Sequence, residues 1–175
     1  MIVVKVGGSL YDHPRLGPAL QQYLDSLEEP ALIVPGGGPF ADAVRELDRI
    51  HAPGQEACHW LALEAMNLAG AFLKSLGVTA PILDAVAFCR EHDVLPHSWA
   101  SSSDSVAALT ATIHRASRLV LLKSIDLLPG IAWSEAADRG WVDPYFPSLV
   151  ADVPFAVELV NFREWLQSAA RDTGT

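Results

Sequence analysis

Two stretches decide how this chain is read: Ile2-Val3-Val4-Lys5-Val6-Gly7-Gly8-Ser9 and Ala31-Leu32-Ile33-Val34-Pro35-Gly36-Gly37-Gly38-Pro39. Each is a short aliphatic run that stops on glycines. Runs of this kind suit strands covered on both faces, as in a parallel sheet. A helical pattern follows each one. Leu16, Leu20, Tyr23, Leu24 and Leu27 mark one helix face between Pro14 and Leu27. A second helix is expected from Phe40 to Ile50, broken by His51-Ala52-Pro53-Gly54.

The same alternation continues outward. Glu56 to Leu76 is the longest helical pattern, with Leu61, Ala65, Leu68, Ala69, Phe72, Leu73 and Leu76 on a shared face and Gly77 as a stop. Short strands are expected near Ile82-Leu83 and Val94-Leu95. Ser101-Ser102-Ser103-Asp104-Ser105 opens a helix towards Arg115, and Leu119 to Leu122 reads as a central strand. Pro129 to Pro154 is the least regular segment, a functional loop or a connection. A strand over Phe155–Val160 and a helix over Phe162–Ala170 complete the pattern. Strands alternating with helices predict an α/β fold, a three-layer αβα sandwich with a mostly parallel central sheet. The expected organisation is one compact domain spanning residues 1–175.

Composition narrows the function. The 175 residues are 50% hydrophobic and 19% charged, which excludes a disordered tail protein. A net charge of −9 argues against nucleic-acid binding, which needs a basic patch. Local cations and backbone N–H groups still suffice for small phosphates. Two cysteines, Cys58 and Cys89, form no disulfide framework, so free thiols in a reducing compartment are expected. The N-terminus lacks a basic leader and apolar core, and no run approaches a membrane span of about 20 apolar residues. A cytoplasmic protein without a membrane partner is the expectation.

The chemistry is carried by the two glycine junctions. Open α/β sheets bind ligands at the carboxyl ends of their strands. Glycine there lets backbone approach a ligand, and the following helix N-terminus favours anions. Lys5 adds a positive charge at the same edge. Two such loops in forty residues, one with a lysine, favour phosphate binding over ordinary turns. Gly36-x-Gly38-x-x-Ala41 also fits a dinucleotide fingerprint, with Glu56 twenty residues on. That acid should end a second strand of a βαβ unit, whereas residues 40–76 read as two helices. A P-loop sequence is missing. Cys58, His59, Cys89, His92 and His97 show no zinc-ligand spacing, so no metal site is expected.

Lys5-x-Gly7-Gly8-Ser9, the Gly36-Gly37-Gly38 loop and the Asp104-x-x-Ala107 helix start resemble the amino acid kinase family over residues 1 to about 127. Four further segments are similar to its small methanofuran-type phosphate kinase branch. These are Val34–Arg45, His59–Met66, Leu95–Trp99 and Leu121–Asp126. The resemblance implies ATP-dependent phosphoryl transfer, with Mg²⁺, to a small molecule that is already a phosphate monoester. In that branch the acceptor is an aminomethylfuran-methyl phosphate of methanofuran biosynthesis, and the product is a diphosphate. It also implies a homo-oligomer through the helix after the glycine loop.

The resemblance assigns parts residue by residue. Lys5 touches the transferred group, and Gly7, Gly8 and Ser9 cradle ATP phosphates. Gly36, Gly37 and Gly38 hold the acceptor phosphate. Asp104 orients the active lysines; Ser103 and Ser105 bond phosphate oxygens. Asp126 matches the acid of the family's Asp-Gly motif near the nucleotide, although Leu127 stands where the glycine is expected. Lys123, at the carboxyl end of the central strand, points towards the site.

Bland readings stand beside several of these. Asp104 or Ser103 also suits a helix cap. Arg45 can reach an acceptor anion or pair with Asp42 or Asp48. His59, Leu63 and Asn67 share a stripe at spacing i, i+4, i+8, so His59 and Asn67 line an acceptor pocket or fill core positions. Trp99 walls the pocket or packs. Little chain follows Asp126, and the family's second glycine motif with its lysine is missing. A catalytically silent binding or regulatory subunit is therefore the alternative to an enzyme.

Overall fold

A computed structural model describes the backbone of residues 1–126, 128 and 130–172, with side chains as far as residue 167. Leu127 and Pro129 lie outside the described residues. Four parallel strands form one sheet in the order β2-β1-β3-β4. They are β1 (Ile2–Val6), β2 (Ala31–Pro35), β3 (Arg118–Lys123) and β4 (Ala156–Asn161). Between β1 and β2 lie a 3₁₀ turn over Gly8–Leu10 and helix α1 (Leu16–Asp25). Four helices separate β2 from β3: α2 (Gly38–His51), α3 (Gln55–Ser75), α4 (Ala85–Glu91) and α5 (Ser103–Ile113). Short helices α6 (Trp133–Asp138) and α7 (Phe146–Leu149) precede β4, and α8 (Phe162–Asp172) follows it.

Alternation along the strands sorts the core into two layers. Val3, Leu119 and Leu121 pack with α3, α4 and α5 on one face. Ile2, Val4, Val6, Val120 and Leu122 pack with α1 and α8 on the other. Lys5 pairs with Leu121 in the β1–β3 register, so its side chain leaves the sheet on the α5 face. Both faces are covered, which explains why β1 apart from Lys5, and β3 between Arg118 and Lys123, read as apolar on both faces. Among the described residues no helix is long and apolar enough to cross a membrane.

Three local expectations change. Val94-Leu95 forms no strand: Pro96 follows at once, Val94 is exposed, and Leu95 alone enters the core. Ile82-Leu83 contributes a single parallel bridge from Ile82 to Ile33 beyond the β2 edge. Pro81 has no N–H to extend that pairing; its carbonyl accepts from Ile33 N at 2.9 Å. In α3 the buried face runs through Leu63, Ala65, Met66, Ala69 and Leu73, while Leu61 and Leu68 are exposed. An alanine-rich helix with apolar residues nearly all round leaves its inner stripe undefined by sequence.

The segment expected to be irregular is integral to the core. Ala136, Val142, Phe146 and Val150 are buried in the layer over α5. At the other face Phe162 is fully buried, stacked on Trp165 at 5.1 Å and edge-on to Tyr23 at 5.6 Å. Phe162→Ala should lose about 3–5 kcal/mol of stability in chemical denaturation, as for other buried aromatics. A loss below about 1 kcal/mol would mean that α8 does not dock on this face.

Candidate active site

The carboxyl ends of β1 and β3 meet the N-terminus of α5. Lys5 Nζ lies 2.8 Å from Asp104 Oδ1, and Lys123 Nζ lies 2.7 Å from Asp104 Oδ2. Lys5 and Asp104 are each only 4% exposed. Lys123 also donates to Trp141 O at 2.5 Å. The Lys5 contact is an ion pair rather than an aligned hydrogen bond, since Oδ1 has no partner of good hydrogen-bond geometry. Burial pushes the Asp104 carboxyl up, but Lys5 and Lys123 more than offset this and hold it at about 2. Burial, with Lys5 nearby, pushes the Lys123 amine down to about 8 against the pull of Asp104. One carboxylate therefore serves two amines. Both helix-start and strand-end readings merge here: Asp104 sits in the first turn of α5, yet its carboxylate is spent on the lysines.

The two glycine loops touch. Gly7 N donates to Leu122 O and Gly36 N to Val6 O, both at 2.8 Å, which ties each loop to a neighbouring strand end. A Cβ on Gly8 would lie 2.3 Å from Gly38 Cα, so only glycine admits this approach. Gly38 itself has φ +51°. Tyr11, which the sequence did not single out, donates from its hydroxyl to Gly36 O at 2.5 Å and braces the second loop.

Both loops open onto one cavity of about 640 Å³. Gly8, Ser9 and Gly36–Gly38 form one wall, and Ser101–Ser103 another. Ala62, Leu63, Met66 and Val106 supply apolar surface; Tyr11, His59 and Trp99 supply rings. Arg45 and Arg163 are its cations. Arg45 pairs with Asp42 at 2.7 Å and lies 4.7 Å over the Trp99 ring, so it both binds a surface acid and faces the cavity. Trp99 walls the cavity while its indole N–H donates to Asp48 at 2.8 Å.

His59 faces the same space and stacks on His97 at 4.2 Å. Burial, with His97 beside it, pushes His59 below the usual imidazole range. His97 is clamped by Glu56 and Asp93, whose hydrogen bonds raise its own value.

Other assigned residues fall elsewhere. Asn67 does not line the cavity: it donates to Asp84 Oδ1 at 2.8 Å and accepts from Ala85 N at 2.7 Å, tying α3 to the start of α4. Met66, its neighbour in the chain, does line the cavity, so it is the direction of the Asn67 side chain towards α4 that takes it away. The Ser105 hydroxyl is fully buried and donates to Asp143 at 2.5 Å, so it does not face a ligand, whereas Ser103 lines the cavity. Asp126 is exposed and accepts from Asn161 at 2.9 Å, away from the cavity lining. Lys5, Gly7, Asp104 and Lys123 also lie outside that lining; Gly7 and Asp104 adjoin the lining residues Gly8 and Ser103 in the chain, and the two lysines meet Asp104 behind them. Ser9 shares a 2.9 Å hydroxyl contact with Ser124. Its carbonyl accepts from Arg163 at 2.7 Å, and Arg163 also pairs with Asp12 at 2.7 Å. Arg163 and Asp143 carried no local motif, and no signal in the sequence links them to the glycine loops.

The chain is 27% identical to [5-(aminomethyl)furan-3-yl]methyl phosphate kinase of Methanocaldococcus jannaschii over 191 aligned positions, covering 93% of this chain and 88% of that protein. No protein-family model matches it. Among solved structures it is similar to uridylate kinase of Archaeoglobus fulgidus, with TM-score 0.65 and 15% identity over 97% of this chain and 95% of that one. UMP kinase of Ureaplasma parvum superposes with TM-score 0.62 and 15% identity over 98% and 94% of the two chains.

The loop contact is open to test. Gly8→Ala should cost roughly 1–3 kcal/mol in denaturant titrations, because the loops must part to admit a methyl group. Unchanged stability would mean that they do not touch. Sheet topology and these relatives together mark the chain as a kinase of amino acid kinase-like fold, similar to the [5-(aminomethyl)furan-3-yl]methyl phosphate kinase of Methanocaldococcus jannaschii.

Proposed function

We propose that the chain, in the cytoplasm, uses ATP to phosphorylate a small phosphate monoester, [5-(aminomethyl)furan-3-yl]methyl phosphate, to its diphosphate. One observation carries this reading: two glycine loops in van der Waals contact open onto one cavity, with two buried amines at the adjoining strand ends. Phosphoryl transfer needs positioning and charge stabilisation more than covalent chemistry, and this arrangement offers both.

In the reaction, an oxygen of the acceptor phosphate attacks the γ-phosphorus of ATP. The bond to the β–γ bridging oxygen breaks, and ADP leaves. A phosphate monoester is already largely dianionic near neutrality, with a second pKa of about 6, so the attacking oxygen needs no general base. What it needs is cancellation of repulsion between two polyanions. Lys5 and Lys123 supply positive charge at the transfer point, and Asp104 holds them while no ligand is present. Gly7, Gly8 and Ser9 receive the donor phosphates, and Gly36–Gly38 with Arg45 receive the acceptor phosphate. Ser103 adds a hydroxyl at the cavity wall.

Among the described residues no three His, Cys, Asp or Glu side chains converge as a metal site. The donor set therefore fits an Mg²⁺ ion held chiefly through phosphate oxygens and water. When bound, Mg²⁺ offsets phosphate charge. The furan ring matches the apolar wall of Ala62, Leu63, Met66 and Val106, and Tyr11 and Trp99 offer ring faces. Homo-oligomerisation through α2 belongs to the same reading; Leu47 and Ile50 are exposed on that helix.

Two experiments test this. With ATP–Mg²⁺ and the furan phosphate, wild type should release ADP stoichiometrically with diphosphate product, and Lys5→Ala should lower kcat by at least about a hundredfold. Equal turnover in the variant, or no transfer by wild type, would overturn the reading. The Lys123 amine titrates at about 8, and its ammonium form is the one that offsets phosphate charge. Log kcat/KM should accordingly fall as pH rises through about 8, and Lys123→Arg should remove that limb.

A further inference from the structure

Asp143 has no place in the reading above, yet it is among the most heavily hydrogen-bonded carboxylates of the described residues. It is buried, in the turn between α6 and α7. Its Oδ2 accepts from Ser102 N, Ser102 Oγ and Ser105 N, each at 2.9 Å. Its Oδ1 accepts from Ser105 Oγ at 2.5 Å and from Phe146 N at 2.9 Å. Its own backbone N–H donates to Asp104 Oδ2 at 3.2 Å, the oxygen that also accepts from Lys123.

This pattern is a helix cap supplied from elsewhere in the chain. Ser102, the N-cap residue of α5, makes no side-chain cap of its own. A distant carboxylate takes the orphan N–H groups instead, where a negative charge is favoured by the helix dipole. The first turn of α5 carries Asp104, and the preceding Ser101–Ser103 line the cavity. The cap therefore fixes both the pivot of the two amines and one cavity wall.

Charge points the same way. Lys5, Lys123 and Asp104 alone would leave a buried excess of one positive charge, which is costly. Asp143 brings the group to two amines and two carboxylates. The charged groups acting on Lys123 are Lys5 from β1, Asp104 from α5 and Asp143 from the α6–α7 turn, with the Trp141 carbonyl as its neutral partner.

We propose that Asp143 is a positioning residue for phosphoryl transfer: it caps α5 from outside the helix, seats Asp104 between Lys5 and Lys123, and supplies the second carboxylate that balances those amines. The proposal rests on the kinase reading for its catalytic consequence, but not for its effect on Lys123.

The test uses the full chain. In Asp143→Asn, the ¹³Cε resonance of Lys123, assigned through Lys123→Arg, should titrate at lower pH than in wild type. With ATP–Mg²⁺ and the furan phosphate, kcat should drop roughly tenfold or more, with the alkaline limb moved the same way. Glu28→Gln removes an equal charge at the opposite ends of the strands and should move neither. A folded Asp143→Asn with the Lys123 titration in place and kcat within twofold of wild type would overturn the proposal. If Asp143→Asn fails to fold, Ser102→Ala/Ser105→Ala decides. That pair loosens the cap but keeps the charge, so kcat should fall severalfold while the alkaline limb stays put; an unchanged kcat would overturn the proposal. A wild type that transfers no phosphate sinks the kinase reading alone, and the resonance shift then still decides for or against Asp143.

Discussion

Two lysine amines buried around a single aspartate are the constraint on which the rest of this structure depends. Ammonium groups do not enter a protein interior without compensation. Lys5 and Lys123 come from neighbouring parallel strands, and β1–β3 pairing sets their side chains on the same face. A carboxylate must then arrive from that face, and α5 brings Asp104 there by its first turn. Because the sheet, the helix start and the charges must all agree, a shift of one residue in the β1–β3 register would turn a lysine into the opposite apolar layer.

The loops answer to a second constraint, close backbone contact. Where Gly8 meets Gly38 there is no room for side chains, so main-chain N–H groups and carbonyls form the surface at that point. Such a surface favours oxygen-rich anions and holds its shape without side-chain ordering. Tyr11 keeps the second loop in place through Gly36 O. The cavity beyond changes character over a short distance, from backbone and serine at the loops to aliphatic and aromatic side chains along α3 and the Trp99 loop. A ligand with an anionic end and a small flat body matches that gradient.

Burial also separates the roles of chemically similar residues. Ser103 and Ser105 are two positions apart, yet one lines the cavity and the other is fully committed to Asp143. His59 and Asn67 share a helix stripe, yet only His59 reaches the cavity, since Asn67 is taken up by Asp84 and Ala85. In each pair the residue types and spacing were compatible with binding, and the neighbouring element decided.

Local sequence was sufficient for the strands that carry the site, for the two glycine loops and for the layered α/β class, because continuous apolar runs, periodicity and glycine placement are properties of short segments. It also singled out Lys5 and Lys123, each an amine at the end of an apolar strand, whereas Asp104 read locally as a helix cap and was assigned to the lysines only through the resemblance. It did not mark Asp143, Tyr11 or Arg163, nor did it separate Ser103 from Ser105 or locate the inner stripe of α3. Those depend on contacts between residues far apart in the chain: Asp143 on Ser105, Tyr11 on Gly36, Arg163 on Ser9. A side chain's partner across such a distance is set by how helices and turns pack on the sheet, and that packing is decided only when the whole chain has folded.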